Sequence, residues 1–554
     1  MRLPLPLPAF PLLALLATVV SVAVQGFAYG VSNNVFHIPL ILHDYAQPGF
    51  ANDAYAQTLP RYVSPIFPAL SVIATRDNLP TLFLLVHAIG RWATLWAMLR
   101  ILALLGTSGP RLVFAIAVLV VAPGLMGITE LGRQELLPGY FTHTALAQAA
   151  LLWSIVHILK ARFVAACVLA AVAFDINAFV GVWAAGPLLA ALLVSRPSRR
   201  TAATGLLTGA AIAAPVAIWI ATVAASDRTT FDYVAFLRAY YPNHFFIDAA
   251  SRSSILQLAA ALASGVVAAR LTGAHLLLCA GTGLGAVFVA GVAVGAAATS
   301  PLLLNLHLLR VDGPLILLSA CAALAVAVQA AGRDPFRTAC AIVIAGALLV
   351  ALWPAVLAAL LLLHIPAGLR DRLAAPIRPV WDRLTRRPTP ILATAALLLA
   401  AWGTLVVVLK HRPPDPSSTE ERYFIGQSPA FPEWRDTKLW ARDHTPPAAV
   451  FLVPEMLQGF EQDALRPAWV DWKAGAAAMW APSFHETWSA RMEAVTALTT
   501  PEARIRFACA QHLDYAVLDD RRHTVPGHTV AGMAPVFRNR AFAIYPTRDC
   551  PLGP

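Results

Sequence analysis

Residues 31–68 read VSNNVFHIPLILHDYAQPGFANDAYAQTLPRYVSPIFP. On either side the chain is almost purely apolar: AFPLLALLATVVSVAVQGFAY (9–29) precedes the stretch and LPTLFLLVHAIGRWATLWAML (79–99) follows it. Apolar runs of about 20 residues are the length of a membrane-spanning helix. The polar stretch is therefore a long first loop, 31–78, between two spans. Connections within compact folds are usually about 4–6 residues, and loops far longer than that tend to carry function. This one holds Asn34, His37, Asp44, Asp53, Arg61 and Tyr62 among aromatics and prolines.

The rest of the chain repeats the apolar pattern. Of 554 residues, 58% are hydrophobic and 13% charged, where soluble domains carry about 25% charged. Residues 410–554 hold 16 basic and 17 acidic side chains, a net of −1, which leaves 25 basic and 13 acidic, a net of +12, in 1–409. A basic excess confined to the apolar part reads as the positive-inside signal, and no nucleic-acid partner is expected.

Spans are expected near 9–29, 80–104, 112–128, 143–159, 163–179, 181–195, 202–224, 253–270, 275–296, 309–331 and 391–409. Segment 338–364 is either one long span or a hairpin broken at Trp353-Pro354. The stretch 365–390 carries six arginines that belong inside, which favours the hairpin. The fold class is thus mostly α: a polytopic helical membrane domain of about 11–13 spans over 1–409. The N-terminus is expected inside. In this arrangement Asp44, Asp53, Glu130, Glu135, Asp227, Asp232 and Asp248 all fall in outer loops. Short amphipathic helices lying on the membrane are expected near 50–60 and 64–75.

Residues 410–425 read as a linker, and 426–554 as a small α/β domain on the non-cytoplasmic side. Its expected strands are 449–453, 468–472, 515–518 and 536–545, with helices near 484–498 and 501–512. RPAWVDWKAG, with Arg466, Asp471 and Lys473, is either a buried strand with flanking charges or a lid or acceptor surface. Cys509 and Cys550 are the tail's cysteines. They are either bridged, if the tail lies in an oxidising compartment, or two buried thiols. No cysteine pair has metal-ligand spacing.

Four stretches carry candidate chemistry. In the first loop, Asp53 of GFANDAY and Asp44 are candidate catalytic carboxylates, as general base on an acceptor hydroxyl or as holders of a divalent cation. The plain alternative for Asp53 is helix capping. Asn34 and His37 are placed to bind a sugar hydroxyl or phosphate, or to make ordinary interfacial hydrogen bonds. In TELGRQELLPGYFTH (129–143), Arg133 could take a phosphate or pair with a neighbouring glutamate. In FDYVAFLRAYYPNHFF (231–246), Arg238 and His244 sit among aromatic rings, a setting suited to a lipid-linked phosphate and equally to an interfacial belt. In LHLLRVDG, Arg310 is a candidate for an anionic ligand, with mutual stabilisation by Asp312 as the alternative.

With these residues in view, the chain resembles the GT-C superfamily of membrane glycosyltransferases, and more narrowly a bacterial multi-pass family of that architecture. The match lies in NNVFHIPL with NDAY, in RAYYPNHFF, and in TPPAAVFLVP and VDWKAG of the tail. It departs at the histidines: Val35 and Phe36 separate Asn34 from His37, and Asn243 stands where the family has histidine. The resemblance implies a transferase of the inner membrane. It would take a sugar from a polyprenyl-phosphate carrier and pass it to an acceptor on the outer face, with Asp53 as the family's carboxylate. Its partners would be that carrier and membrane lipids, with no cofactor beyond a divalent cation. The alternatives are a transporter or flippase, which predicts internal repeats and broken helices, and a non-catalytic assembly protein.

Overall fold

The helix Asp312–Ala330 shows why the apolar half folds as it does. Its sequence, DGPLILLSACAALAVAVQA, is rich in small residues and is buried along nearly its whole length. Between membrane helices apolar surface alone gives no drive to associate, so close packing of small residues supplies the attraction. Neighbouring helices Arg252–Leu271, His275–Ala297, Pro110–Val121 and Pro335–Leu349 all pack on it. Close approach recurs where Ala178–Ser195 crosses His275–Ala297. A Cβ on Gly186 would stand 2.3 Å from the Gly283 carbonyl oxygen, and one on Gly283 would stand 2.4 Å from that of Gly186.

In the computed structural model, the described residues are 9–125, 128–227, 229–376, 378–379, 381, 388–410, 432–519, 530, 532–548 and 550. They form two compact units. The first, the membrane unit, comprises 1–27, 84–216 and 232–411; the second comprises 28–83, 217–231 and 412–554. The expected linker 410–425 lies, apart from Lys410, outside the described residues, as do Arg383, Arg386 and Arg387.

Among the described residues, six helices are long and apolar enough to cross a membrane, or seven if the bent pair Trp353–Leu362 and Ala367–Ala374 is one span. Six further apolar helices of 10–17 residues accompany them. The expected span count includes these shorter helices. Segment 338–364 is two helices, Pro335–Leu349 and Trp353–Leu362, packed on each other. The break falls at Ala351, with φ +55°, just ahead of the expected point. Pro354 then sits in the first turn of the second helix, where its missing N–H costs nothing. Within the membrane unit Arg91 is buried and donates to Ser21 Oγ at 2.7 Å, Gln25 Oε1 at 3.1 Å and the Pro138 carbonyl.

The second unit is built on a four-stranded sheet of order β1-β2-β4-β3. The strands are β1 Phe451–Leu452, β2 Tyr515–Asp519, β3 Phe537–Arg538 and β4 Phe542–Pro546. β1 runs parallel to β2, and β4 is antiparallel to both β2 and β3. Trp434, Phe451, Phe460, Phe542 and Ile544 fill its core. Truncating any one of the aromatics to alanine would cost about 3–5 kcal/mol. The expected strand 468–472 is reduced to one bridge, Phe451 with Ala468. Beyond it the Asp471 carboxylate accepts from the Ala474 amide at 2.7 Å and turns the chain into the short helix Lys473–Met479. Arg466 donates to the Arg442 carbonyl at 2.6 Å and to Thr445 Oγ1 at 3.1 Å, closing the end of the helix Pro432–His444.

The first loop belongs to this second unit. It folds into the helix Asn34–Ile41, short turns of 3-10 helix including Ala56–Arg61, and the helix Ile66–Ser71. Its apolar side chains Phe36, Ile38, Ile41, Phe50, Leu59 and Phe67 are buried. Loop and tail are joined by Gln462 Nε2 to the Gly30 carbonyl at 2.9 Å, Arg76 to the Gln462 carbonyl at 3.0 Å, and Trp480 Nε1 to the Thr58 carbonyl at 3.2 Å. At Gly49 a Cβ would meet the Pro447 carbonyl oxygen at 2.3 Å, so only glycine fits there. Cys509 and Cys550 are bridged, and the four cysteines of the spans are free and buried.

Candidate functional site

Two polar clusters stand out, one in each unit. In the second unit, Asp53, Glu461 and Asp471 converge on one cavity with Arg491, lined also by Tyr55, Trp469, Phe484 and Trp488. The acids come from three separated segments: the first loop, the short helix Phe460–Ala464, and the turn after Ala468. Each accepts from a backbone N–H. Asp53 takes that of Ala56 at 2.6 Å, Glu461 that of Ala468 at 3.1 Å, and Asp471 that of Ala474 at 2.7 Å. Arg491 donates to the Trp469 carbonyl at 2.8 Å and lies 5.3 Å over the Trp469 ring.

Burial pushes the Asp53 carboxyl up to about 6, against the Ala56 amide and the Arg491 charge, which hold it down. Burial also raises Asp471 to about 6; the amides of Ala474 and Lys473 and the Lys473 charge oppose the rise. Glu461 is pushed well above the carboxylate range by burial and then by Asp53 and Asp471. A carboxyl titrating near neutral pH can take or give a proton at working pH. The cavity measures about 10 Å³, room for one water or one hydroxyl group and not for a sugar ring. The capping reading of Asp53 also holds in this geometry, since its carboxylate serves the Ala56 amide.

The other first-loop candidates are engaged elsewhere in the same unit. Asp44 is buried and pairs with Arg76 at 2.6 Å, with Gln47 Nε2 at 2.8 Å. Burial raises its carboxyl while Arg76 opposes the rise. Asn34 accepts from the Gly30 amide at 3.2 Å. His37 is fully buried, stacked on Phe67 at 4.6 Å with Tyr62 edge-on at 6.1 Å.

In the membrane unit, three of the candidate stretches meet. The Gly132 amide donates to the Asn243 carbonyl at 2.8 Å, and a Cβ on Gly132 would press on Leu309 and Arg310 backbone at 2.9–3.1 Å. Arg310 donates to the Arg133 carbonyl at 3.4 Å. His307 is buried beside Phe245 at 4.6 Å, Phe179 at 4.7 Å and His244 at 6.4 Å. Asn177 reaches His143 Nε2 at 3.1 Å. Glu130 serves Ser251, accepting from its amide at 2.7 Å and its hydroxyl at 2.9 Å, and also bonds the Ser254 hydroxyl. Those hydrogen bonds, Ser254's first, hold its carboxyl below the ordinary value. Arg238 stands apart from this cluster. It pairs with Asp248 at 3.0 Å on exposed surface and lies 4.1 Å over the Phe246 ring.

Sequence reading missed Glu461 and Arg491, whose segments give no local sign of a shared cavity. It also missed His87 and Arg91. There a signal existed: two basic side chains at i and i+4 in an apolar span mark a buried polar contact. For a divalent cation, no group of three or more His, Cys, Asp or Glu among the described residues stands close enough to hold a metal ion.

Fold and clusters together define a multi-spanning helical membrane protein with a small α/β domain. A family model described as a domain of unknown function, DUF6798, matches residues 432–495. No curated protein matches the chain in sequence. Among solved structures, the cryo-EM structure of the arabinofuranosyltransferase AftD from Mycobacteria is similar over 98% of this chain and 40% of that one, at 15% identity and a TM-score of 0.46. A mutant of AftD gives 15% identity, a TM-score of 0.47, and 99% and 42% coverage. The apo structure of ArnT from Cupriavidus metallidurans is similar at 13% identity and a TM-score of 0.43, over 96% of this chain and 97% of that one. The chain thus spans about two fifths of the length of AftD.

Proposed function

We propose that this protein is a membrane glycosyltransferase that moves a sugar from a polyprenyl-phosphate carrier to an acceptor on the outer face of the inner membrane. The observation that carries this reading is the Asp53 carboxyl, held near neutral titration by burial beside a cavity of about 10 Å³. The space admits one hydroxyl, which is all that a general base must reach. Asp53 would deprotonate the acceptor hydroxyl as it attacks the anomeric carbon, and the carrier phosphate would leave with the bonding electrons.

Carrier phosphate recognition is assigned to the membrane unit. Arg310, which donates to the Arg133 backbone carbonyl, Arg133 and His244 would receive it, with Arg238 apart from them on exposed surface. A guanidinium matches phosphate oxygens bidentately. The Cys509–Cys550 bridge supports a tail in an oxidising compartment, outside the cytoplasm.

A second reading, a non-catalytic assembly protein, is favoured by the Asp53–Ala56 bond, which would suffice as a structural role. One experiment separates the two. The full chain in nanodiscs is incubated with a labelled polyprenyl-phosphate sugar and a membrane extract as acceptor source, beside Asp53→Asn. Asparagine keeps the acceptor oxygen for the Ala56 amide but cannot act as base. Label transfer that falls by about 100-fold or more in the variant supports the enzyme, the size expected of one general base. Equal transfer by both proteins, or donor binding without transfer by either, sinks it.

A further inference from the structure

We propose that Asp53, Glu461 and Asp471 form a proton-operated latch that fastens the first loop to the tail domain at acidic pH and loosens it as the pH rises. The geometry carries this. Three carboxyl groups from separate segments face one water-sized cavity between loop and tail. Asp53 is the loop's contribution; Glu461 and Asp471 are the tail's.

Every charged or titratable group facing the cavity enters the balance. On the loop these are Asp53 and the Tyr55 hydroxyl, which donates to the Val35 carbonyl at 3.3 Å. On the tail they are Glu461, Asp471, Arg491 and, beside Asp471, Lys473. Arg491 is committed to the Trp469 carbonyl and ring. Lys473 holds its ammonium 5.3 Å over the Phe36 ring. Arg491 and Lys473 offset part of the negative charge on Asp53 and Asp471, but three ionised carboxylates outnumber these two cations and repel one another across a cavity too small for solvent to screen them. When two carboxylates share such a space, one of them keeps its proton.

The direction follows. Asp53 and Asp471 both titrate at about 6 in the folded unit, above the ordinary carboxylate value. Glu461 is raised further. Groups raised on docking stabilise it fully below their ordinary value, and that support is lost as pH rises through the docked value. The window thus opens near pH 4 and extends beyond 6. A carboxyl that binds its proton tenfold more tightly when docked changes the docking equilibrium tenfold across that window.

Amide hydrogen exchange on the full chain in nanodiscs tests this, with rates corrected for their intrinsic pH dependence. Protection of residues 50–60 should be at least about tenfold greater at pH 5 than at pH 8, while β2 amides in the same molecule stay unchanged. Glu461→Gln, which keeps an acceptor for the Ala468 amide, should raise protection at pH 8 and flatten the slope. Asp471→Asn serves the same purpose if the first variant folds poorly. The proposal fails if loop protection is equal at both pH values, if loop and β2 change in parallel, or if the glutamine variant keeps the full slope. The latch does not depend on the transferase reading, because exchange is read without substrate.

Discussion

Asp227 accepts from the Ser483 amide at 3.0 Å and the Ser483 hydroxyl at 2.6 Å, and pairs with Arg61 at 2.6 Å. Burial alone would raise its carboxyl, but the Ser483 bonds and those from Thr229 outweigh it and hold the group at about 2. Its stabilisation is therefore complete above the ordinary carboxylate value and is lost as pH falls toward 2. Asp227→Asn removes the charge and keeps the shape. Hydrogen bonds to charged groups are worth about 1.5–3 kcal/mol each, and the half-exposed Arg61 puts the expected loss at the low end. Urea unfolding of the tail at pH 7 should show that loss, and the gap to the unmodified chain should close near pH 2. Nothing local in the sequence announces this. Asp227 lies 166 residues from Arg61 and 256 from Ser483, and a carboxylate three residues ahead of its partner, as in Asp53 with Ala56, is the kind of contact a sequence does disclose.

The tail's elements show what periodicity reveals and what it hides. Tyr515–Asp519 and Phe542–Pro546 are strands because alternate or continuous apolar residues fill the core there. Residues 468–472 carry the same signal, yet Asp471 diverts them, since its carboxylate finds an amide three residues on and ends the pairing. The hairpin at 338–364 was legible from Trp353-Pro354, while its break at Ala351 depends on a side chain from another helix: Gln257 Oε1 accepts the Trp353 amide at 2.9 Å. The Cys509–Cys550 bridge ties the helix Pro501–Ala510 to the chain beyond β4 across a separation of 41 residues. Spacing left that pairing open, because two cysteines do not disclose their compartment. Closing a loop of this length removes about 4 kcal/mol of unfolded-state entropy. Cys509→Ser, or reduction of the unmodified chain, should lower the tail's unfolding free energy by roughly that amount, measured by denaturant titration with Trp434 and Trp488 as buried fluorophores.

At the scale of the whole chain, hydropathy makes the membrane class plain, because lipid requires every spanning backbone group to be satisfied within a helix. The division into units is less legible. A polar loop between two spans looks autonomous, and its burial with a domain some 400 residues later depends on contacts such as Gly30 with Gln462, 432 positions apart. The basic excess offers a stronger constraint. Residues 1–409 carry a net charge of +12 while 410–554 carry −1, and basic residues in short loops hold those loops in the cytoplasm. Arg196, Arg199, Arg200, Arg333 and Arg337, with Arg370 and Arg372 beyond, would mark that face. The topology we propose puts the first loop and the tail on the opposite face, where the Cys509–Cys550 bridge can form and persist. A phosphatase reporter that folds only outside the cytoplasm should be active when fused after residue 554 and inactive when inserted after 197 or 376. Thiol labelling in intact cells should reach a cysteine placed at exposed Ala51. Activity at 376 together with silence at 554 would invert the chain. The latch would then face the cytoplasm, and the proposed transferase would lose access to an acceptor on the outer face.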